Sequence, residues 1–311
     1  MTNKTLIWWK VRLILVEIKD LDIIGTYDEL TEEQIEFYNY ELELTSRLIQ
    51  EQEEKIKDIE EKQKSNKETI LLLLLGLIKG MEMSEGILNI SEKESKELIK
   101  KINKEINNIS KNEIINEKTN INEILNDVIE KGYDINSYIR NKGDKAYKPK
   151  NISKENKNRI MGEKIEGLTH EDRLINNKNN LFDTIKNEIG IFLTGAISLE
   201  LLKIQLEKDL DSNKFMSNRL IRDQITRKLN QTKLVWDKDN DIKEKLYNSV
   251  LCSTSCRSCV ELHGKIFRID DETIQIPRHV NCYCYWSSVI NFSVQWVDEV
   301  NWDDFIDWQR K

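Results

Sequence analysis

All five cysteines of this 311-residue chain lie in one segment close to its C-terminal end. Two of them, Cys256 and Cys259, are separated by two residues, and a second cluster, His279, Cys282 and Cys284, follows after a short connection. Thiolates and imidazoles bind zinc in structural sites, which join two such clusters through a connecting segment. The spacing therefore predicts a structural zinc site, in which the metal stabilises a segment too small to fold by itself.

The ligand set that the residues favour consists of Cys256, Cys259, Cys282 and Cys284. His279 is either an alternative fourth ligand, replacing one of the last two cysteines, or a hydrogen-bond donor to a ligand. Spacing alone leaves another interpretation open, in which the thiols bind no metal or form disulfides. An odd number of cysteines without a recognisable export signal favours reduced thiols, and so a metal.

Other side chains of the segment have expected roles around the site. Cys252 is expected to be a small buried residue, with exchange as a metal ligand as the alternative. His263, beside Gly264, is expected to be a turn residue. Nearby basic side chains are expected to screen the negative charge of four thiolates on one divalent ion. These side chains are Arg257, Lys265, Arg268 and Arg278.

A catalytic zinc would need an open coordination position and a nearby general base. Glu261 and Asp270 are the available bases, but four thiolates would close the coordination sphere. The sequence contains no glycine-rich phosphate-binding loop and no Ser/His/Asp arrangement. His170 is interpreted as a surface residue of a helix cap. The sequence therefore predicts no catalytic residues and no enzyme, with a metal-dependent hydrolase as the discarded alternative.

The composition favours long helices. Apolar residues make up 39% of the chain and charged residues 33%, with only 11 glycines and 2 prolines to form turns. A net charge of −7 argues against a general attraction to nucleic acid. The one apolar run, Ile70–Ile78, is about half of the roughly 20 residues that cross a bilayer, so no membrane segment is predicted.

Capping boxes predict three helix starts: Thr31 with Gln34, Ser91 with Glu94, and Thr169 with Asp172. The first helix is predicted to run to about Lys64, with a break at Ser65-Asn66 before a helix that is buried on most sides. The second helix is followed by a piece that ends at Gly132. Three helices are predicted after residue 169, at about 171–193, 198–210 and 215–236.

Apolar residues recur every seven positions in the first helix. This pattern predicts a helical hairpin, a stripe that docks on a partner helix, or an ordinary packing stripe within the chain. The aliphatic seam is Ile35, Leu42, Ile49 and Ile56, and the companion positions are Tyr38, Thr45, Gln52 and Ile59.

Residues 140–164 contain nine basic and three acidic side chains. The segment is predicted to be an interdomain linker and, because clustered lysines release counterions from phosphates, a nucleic-acid contact. The alternative is a solvated loop. The candidate contact residues are Lys142, Lys145, Lys148, Lys150, Lys154, Lys157 and Arg159.

The order GLTHEDRLINNKNNL, TGAISLELLKIQL, NRLIRDQITRKLNQTKLVW and then the two cysteine clusters resembles the phage Mu F-like minor head proteins, also called phage head morphogenesis proteins. The resemblance covers roughly residues 165–290. The family's last cluster reads proline, a spacer, then His-Pro-Asn-Cys-Arg-Cys. Pro277, His279, Asn281, Cys282 and Cys284 match this pattern, while Val280 and Tyr283 replace the usual proline and arginine.

A second family motif departs further from the pattern. The family's helix motif reads Arg-Thr-Glu, whereas Arg222 is followed here by Asp223 and Gln224. No special role is therefore expected for the pair that replaces threonine and glutamate.

The resemblance implies a minor capsid protein inside the head, close to the portal, and in the host cytoplasm during assembly. It implies the portal protein as partner, the major capsid or scaffolding protein as further candidates, and contact with packaged double-stranded DNA during packaging or ejection. The alternative is a zinc-containing nucleic-acid-binding module that is not tied to capsids.

The predicted fold is mainly α, with an elongated helical N-terminal half and a compact helical domain that has a small β-containing, zinc-stabilised subdomain. The aromatic tail is expected either to dock on a partner or to pack on the chain's own helices. The predicted regions are 1–139 (elongated helical region), 140–164 (basic linker), 165–250 (Mu F-like helical domain), 251–295 (cysteine and histidine subdomain) and 296–311 (aromatic acidic tail).

Overall fold

A computed structural model describes residues 21–249, 256–279, 282–295 and 300–310. Over these residues the fold is mainly helical with a small sheet towards the C-terminal end, which confirms the predicted fold class. Within the described ranges, no helix is long and apolar enough to cross a membrane. The helices are α1 (Glu32–Ile78), α2 (Glu92–Gly143), α3 (Lys154–Met161), α4 (His170–Leu193), α5 (Leu199–Asp239), α6 (Arg257–Val260) and α7 (Trp302–Gln309).

The strands form one four-stranded antiparallel sheet and one hairpin. The sheet order is β1-β5-β4-β6, and the hairpin pairs β2 with β3. Glu85 and Gly86 connect the hairpin with positive φ angles of 51° and 78°, the conformation of a type I′ turn, which a glycine adopts without strain. The strands are β1 (Gly25–Thr26), β2 (Met83–Ser84), β3 (Ile87–Leu88), β4 (Glu244–Asn248), β5 (Lys265–Arg268) and β6 (Tyr285–Val289).

The chain divides into two compact units, each assembled from segments that are distant in sequence. The first unit comprises residues 1–47, 129–156 and 226–311, and the second comprises residues 48–128 and 157–225. Helices α1, α2 and α5 each contribute residues to both units. The five regions proposed from the sequence remain a prediction.

The core of the second unit is formed by apolar side chains of α1, α2, α4 and α5 and by Leu88 of β3. The apolar run of α1 contributes Ile70, Leu74 and Ile78, which recur at helical spacing. Leu72 on the opposite face is 68% exposed, so this part of α1 is buried on one face and not on most sides.

Helix α1 continues through Ser65 and Asn66, where the sequence predicts a break. The Asn66 side chain donates to Glu113 Oε2 at 2.8 Å, and a side chain bound in this way does not compete for its own backbone. Helix α5 is likewise continuous where two helices are predicted. Tertiary contacts thus override weak local breaking signals.

Gly132 lies inside α2 and does not end a helix. A Cβ at this position would lie 3.0 Å from Cδ1 of Leu229, so the glycine allows α2 and α5 to approach closely within the first unit. Gly132, which the sequence predicts as the end of a helix, therefore serves close helix packing instead.

The side chains of α1 that recur every seven positions pack against other parts of the same chain. Thr45, Gln52, Ile56 and Ile59 are buried, and the other predicted seam residues are half-buried. The most buried positions also include Phe37 and Glu41, so the buried stripe is rotated from the predicted aliphatic seam. The capping boxes at Thr31, Ser91 and Thr169 form as predicted.

Candidate metal centre

The small sheet and helix α6 place the cysteine clusters side by side in the first unit. Cys256 is the N-cap of α6, where its Sγ accepts a hydrogen bond from the backbone N–H of Cys259 at 3.4 Å. Cys259 lies inside α6, and Cys284 immediately precedes β6. The backbone N–H of Cys282 donates to the carbonyl of His279 at 3.2 Å, which joins two residues of the second cluster.

The potential ligand atoms form two overlapping groups. One group is Cys256, Cys259 and His279, and the other is Cys259, Cys282 and Cys284. Within each group all ligand atoms lie within 4.8 Å of one another, and Sγ of Cys259 is 3.4 Å from Nε2 of His279. The structure thus brings all five predicted residues together around Cys259, the residue that both groups share.

Apolar side chains surround the sulfurs. Cys259, Cys282 and Cys284 are at most 4% exposed, and they belong to one buried cluster with aromatic and aliphatic side chains. All four described cysteines have free thiols. The neighbouring buried side chains are Tyr247, Leu262, Phe267, Ile274, Ile276 and Trp286.

The three buried sulfurs affect one another's ionisation. Hydrogen bonds from the Cys259 and Cys284 thiols hold the pKa of Cys282 well below its usual range. The hydrogen bonds with Cys282 and Cys284 raise the pKa of Cys259. One thiolate is therefore stabilised by its neighbours, whereas further ionisation in this apolar surrounding requires an opposing charge. A divalent cation held by these sulfurs would supply that charge and favour release of the thiol protons.

Cys256 at the edge of the cluster behaves differently. Burial acts to raise its pKa, but hydrogen bonds with the Ser258 hydroxyl and with the Cys259 backbone lower the pKa below the usual value. The charged form of this sulfur is thus already stabilised by the N-cap position.

Two residues that the sequence did not single out position the cluster. The Tyr247 hydroxyl donates to Cys259 Sγ at 3.4 Å, and burial raises the pKa of Tyr247, so that the hydroxyl remains a donor. The Asn230 side chain donates to the carbonyl of Cys284 at 3.2 Å and accepts from the backbone N–H of Trp286 at 2.8 Å. No spacing signal in the sequence links these residues to the cysteines.

The basic residues expected to screen the site have different positions. Arg278 donates to the carbonyl of Ser258 at 2.9 Å and so joins the two clusters. Arg257 pairs with Glu261 at 2.6 Å, and its side chain is 92% exposed. Arg268 lies 3.9 Å from Asp270, and both side chains are largely exposed. Arg257 and Arg268 are thus largely exposed, each beside an acidic side chain.

The candidate bases and the remaining histidines have structural contacts. Glu261 and Asp270 pair with the arginines just described, and neither belongs to a potential ligand group of the described residues. His263 lies in the predicted turn and accepts from the backbone of Ser249 at 3.2 Å. His170 is buried and lies 2.8 Å from Oδ1 of Asn122, so it is not a surface residue. Cys252 lies outside the described residues.

Residues 140–164 contain the end of α2 and all of α3. The Lys142 ammonium lies 3.6 Å from Asp304 and 5.6 Å from the ring centroid of Tyr138. Lys157 is half-buried. The other predicted contact residues, Lys145, Lys148, Lys150, Lys154 and Arg159, are exposed.

The described part of the aromatic tail packs on α2. The rings of Phe305 and Trp308 lie 5.5 and 5.6 Å from that of Tyr138, and Gln309 donates to Asp134 at 2.9 Å. Phe305 is fully buried. Of the two expected roles of the tail, packing on the chain's own helices is thus observed for residues 302–309.

The donor set suits a metal ion of intermediate softness. Four thiols and an imidazole, gathered without a buried carboxylate, are the ligands that zinc prefers over calcium or magnesium. The two groups could therefore hold a metal ion.

Comparison with known proteins identifies the segment that contains these residues. Residues 183–287, about a third of the chain, match the family model described as Phage Mu protein F like protein. No curated protein and no solved structure matches the chain at a significant level. The match includes both cysteine clusters, Asn230 and Tyr247, and also Arg222, whose guanidinium binds both carboxylate oxygens of Glu53 at 2.7 and 2.8 Å. The match over residues 183–287 supports a phage Mu F-like protein, a family that suggests a role in phage head morphogenesis.

Proposed function

We propose that this protein is a minor capsid protein of a tailed phage, which acts as a structural component of the virion and not as an enzyme. The observation that supports this most directly is the family match over residues 183–287. The segment contains the motifs TGAISLELLKIQL and NRLIRDQITRKLNQTKLVW, which resemble the minor head proteins, and all five candidate metal ligands. A protein of this class works by occupying a place in an assembly, so its measurable property is binding.

The proposed place is the interior of the capsid near the portal, with the host cytoplasm as the location during assembly. The portal protein is the proposed partner, and the major capsid or scaffolding protein are further candidates. Co-expression of the full chain with the portal protein of the same phage, with the tag on the portal, tests this role. A complex of fixed stoichiometry is expected, and a portal protein from an unrelated phage is the control. Separate elution of the two proteins would contradict the role.

A structural zinc ion is part of the proposal. Cys259 would be a ligand in every arrangement, because both groups contain it, and Cys282 and Cys284 add two buried thiolates. Cys256 or His279 would complete the tetrahedron. Metal analysis of the full chain is expected to give about one zinc per chain. About two zinc ions per chain would indicate one ion in each group, with Cys259 as a bridging ligand. A folded chain that contains no metal would contradict the site.

Contact with packaged DNA is proposed through the exposed lysines Lys148, Lys150 and Lys154. Replacing all three with glutamine should reduce the slope of log affinity against log salt by about 3 for double-stranded DNA, because each phosphate contact contributes about 0.9. The matched control replaces three exposed lysines of α2, Lys96, Lys100 and Lys101, and should leave the slope unchanged. Equal slopes for both variants would contradict DNA contact at this segment. Tight DNA binding without any portal association would favour the capsid-independent nucleic-acid module.

A further inference from the structure

The hydroxyl of Tyr247 reaches the cysteine cluster from a strand that provides none of the candidate ligands. Tyr247 lies in β4, is fully buried, and donates to Cys259 Sγ at 3.4 Å. Its ring packs edge-to-face on Trp286, its partner across β4 and β6, with centroids 5.3 Å apart. Strand pairing and ring packing therefore fix the hydroxyl beside the sulfur.

The sulfur that receives this hydrogen bond is the one common to both ligand groups. A metal-bound thiolate retains negative charge, and burying that charge among apolar side chains is costly unless a donor faces it. Cys256 has such a donor in the backbone N–H of Cys259. For Cys259 the Tyr247 hydroxyl is such a donor, and it can be removed by substitution. Nε2 of His279 also lies 3.4 Å from this sulfur, but His279 is itself a candidate ligand.

We propose that Tyr247 is a positioning residue of the metal centre, whose hydroxyl donates to the metal-bound thiolate of Cys259 and thereby strengthens zinc binding. This inference rests on the proposed metal site. It adds a determinant of affinity that lies outside the two cysteine clusters and on a different strand.

The test compares two tyrosine-to-phenylalanine variants of the full chain. Tyr247→Phe removes the donor and should weaken zinc binding about 10-fold or more, measured by competition with a chromogenic chelator. With cobalt in place of zinc, the sulfur-to-metal charge-transfer band should also shift in this variant. A role confined to packing would leave that band unchanged.

Tyr285→Phe is the matched control. Tyr285 is also buried in the sheet, 4% exposed, and its hydroxyl has no hydrogen-bond partner within the part of the chain that the structure describes. This variant should bind zinc as the wild type does. Equal affinity in Tyr247→Phe and wild type, or an equal loss in both variants, would overturn the inference. Wild-type protein that binds no zinc would instead overturn the metal site itself.

If Tyr247→Phe does not fold, the wild-type chain provides a second measurement. The hydroxyl proton of Tyr247 should be visible by NMR in the metal-loaded protein, and its chemical shift should change when a chelator removes the metal. A hydroxyl proton that is unaffected by metal removal would contradict the inference.

Discussion

Glu41 of α1 and Lys233 of α5 form an ion pair that is buried from solvent on both sides. The other carboxylate oxygen of Glu41 accepts from the backbone N–H of Ser288 at 3.2 Å, so the pair also binds β6. The hydroxyl of Ser288 donates to Asp237 at 2.5 Å, and Asn136 donates to the same hydroxyl at 3.2 Å. This buried polar network joins three helices to the strand that follows the cysteines.

Removing one partner of the pair should strongly destabilise the protein. Lys233→Met leaves Glu41 buried without its counter-ion, and breaking such a pair costs about 3–5 kcal/mol. Chemical denaturation measures the unfolding free energy. Lys96→Met is the control: it breaks the exposed pair with Glu92 and should change the unfolding free energy by less than about 1 kcal/mol. Similar values for the two variants would contradict a structural role of the buried pair.

Asp237 should make the stability depend on pH. Burial raises the pKa of Asp237 to about 7. The hydrogen bond from Ser288 and the charges of Lys233 and Lys245 act to lower this pKa, whereas the charge of Glu41 acts to raise it. Between about pH 4 and pH 7 the folded state binds more protons at this residue than the unfolded state. The folded state is therefore most stable with respect to this residue below pH 4, where Asp237 is protonated in both states. The unfolding free energy falls as the pH rises from 4 towards 7, by about 4 kcal/mol at most.

Asp237→Asn should remove this contribution. The difference in unfolding free energy between wild type and variant, measured at several pH values, isolates the residue from all other titrating groups. The difference should move in favour of the variant as the pH rises from 4 to 7. A difference that is constant across this range would show that Asp237 titrates normally.

Cys259 should matter more than Cys256 for metal binding. Cys259 belongs to both ligand groups, whereas Cys256 belongs to one, in which His279 offers another donor. Cys259→Ser should therefore abolish zinc binding and unfold the small sheet, because metal binding and folding are coupled. Cys256→Ser should retain weaker binding. Zinc content and near-ultraviolet circular dichroism measure both effects, and equal losses in the two variants would contradict the central role of Cys259.

The tail helix α7 should contribute to stability through Phe305. This ring is fully buried against Tyr138, Trp302 and Trp308, so Phe305→Ala should cost about 3–5 kcal/mol. Asp307→Ala in the same helix removes an exposed side chain and should stay within about 0.5 kcal/mol. Thermal denaturation distinguishes them, and an unaffected Phe305→Ala variant would indicate that α7 does not pack in solution.

Gly132 should tolerate side chains poorly. Gly132→Val places atoms against Leu229 and Thr232 and should destabilise the protein by roughly 1–3 kcal/mol. Gly76→Ala in α1 is the comparison, because nothing lies within 4 Å of its added Cβ, and it should stabilise the helix by about 0.5–1 kcal/mol. If both variants gained stability, the close approach at Gly132 would be contradicted.

The features that were predictable from the sequence depend on residues close together in the chain. The capping box of Thr169 spans four residues, and the cysteine spacing is equally local, so the sequence alone predicts both the helix starts and the ligand clusters. Glu41 and Lys233 are 192 positions apart, and β1 is a two-residue strand defined only by its pairing with Ile266 and Lys265. No local pattern encodes such contacts. Tyr247 was missed for the same reason, since only strand pairing brings it to Cys259.

The ends of the family segment do not coincide with the ends of the units that fold. Residues 183–225 lie in the second unit and residues 226–287 in the first, and each unit includes residues that precede position 183. Lys233 needs Glu41, and buried Asn213 accepts from Lys178, itself paired with Glu113. A fragment cut at the family boundaries would therefore lose the counter-ions of its own buried lysine and expose apolar faces. The segment that matches the family model is thus held in shape by residues that lie outside it.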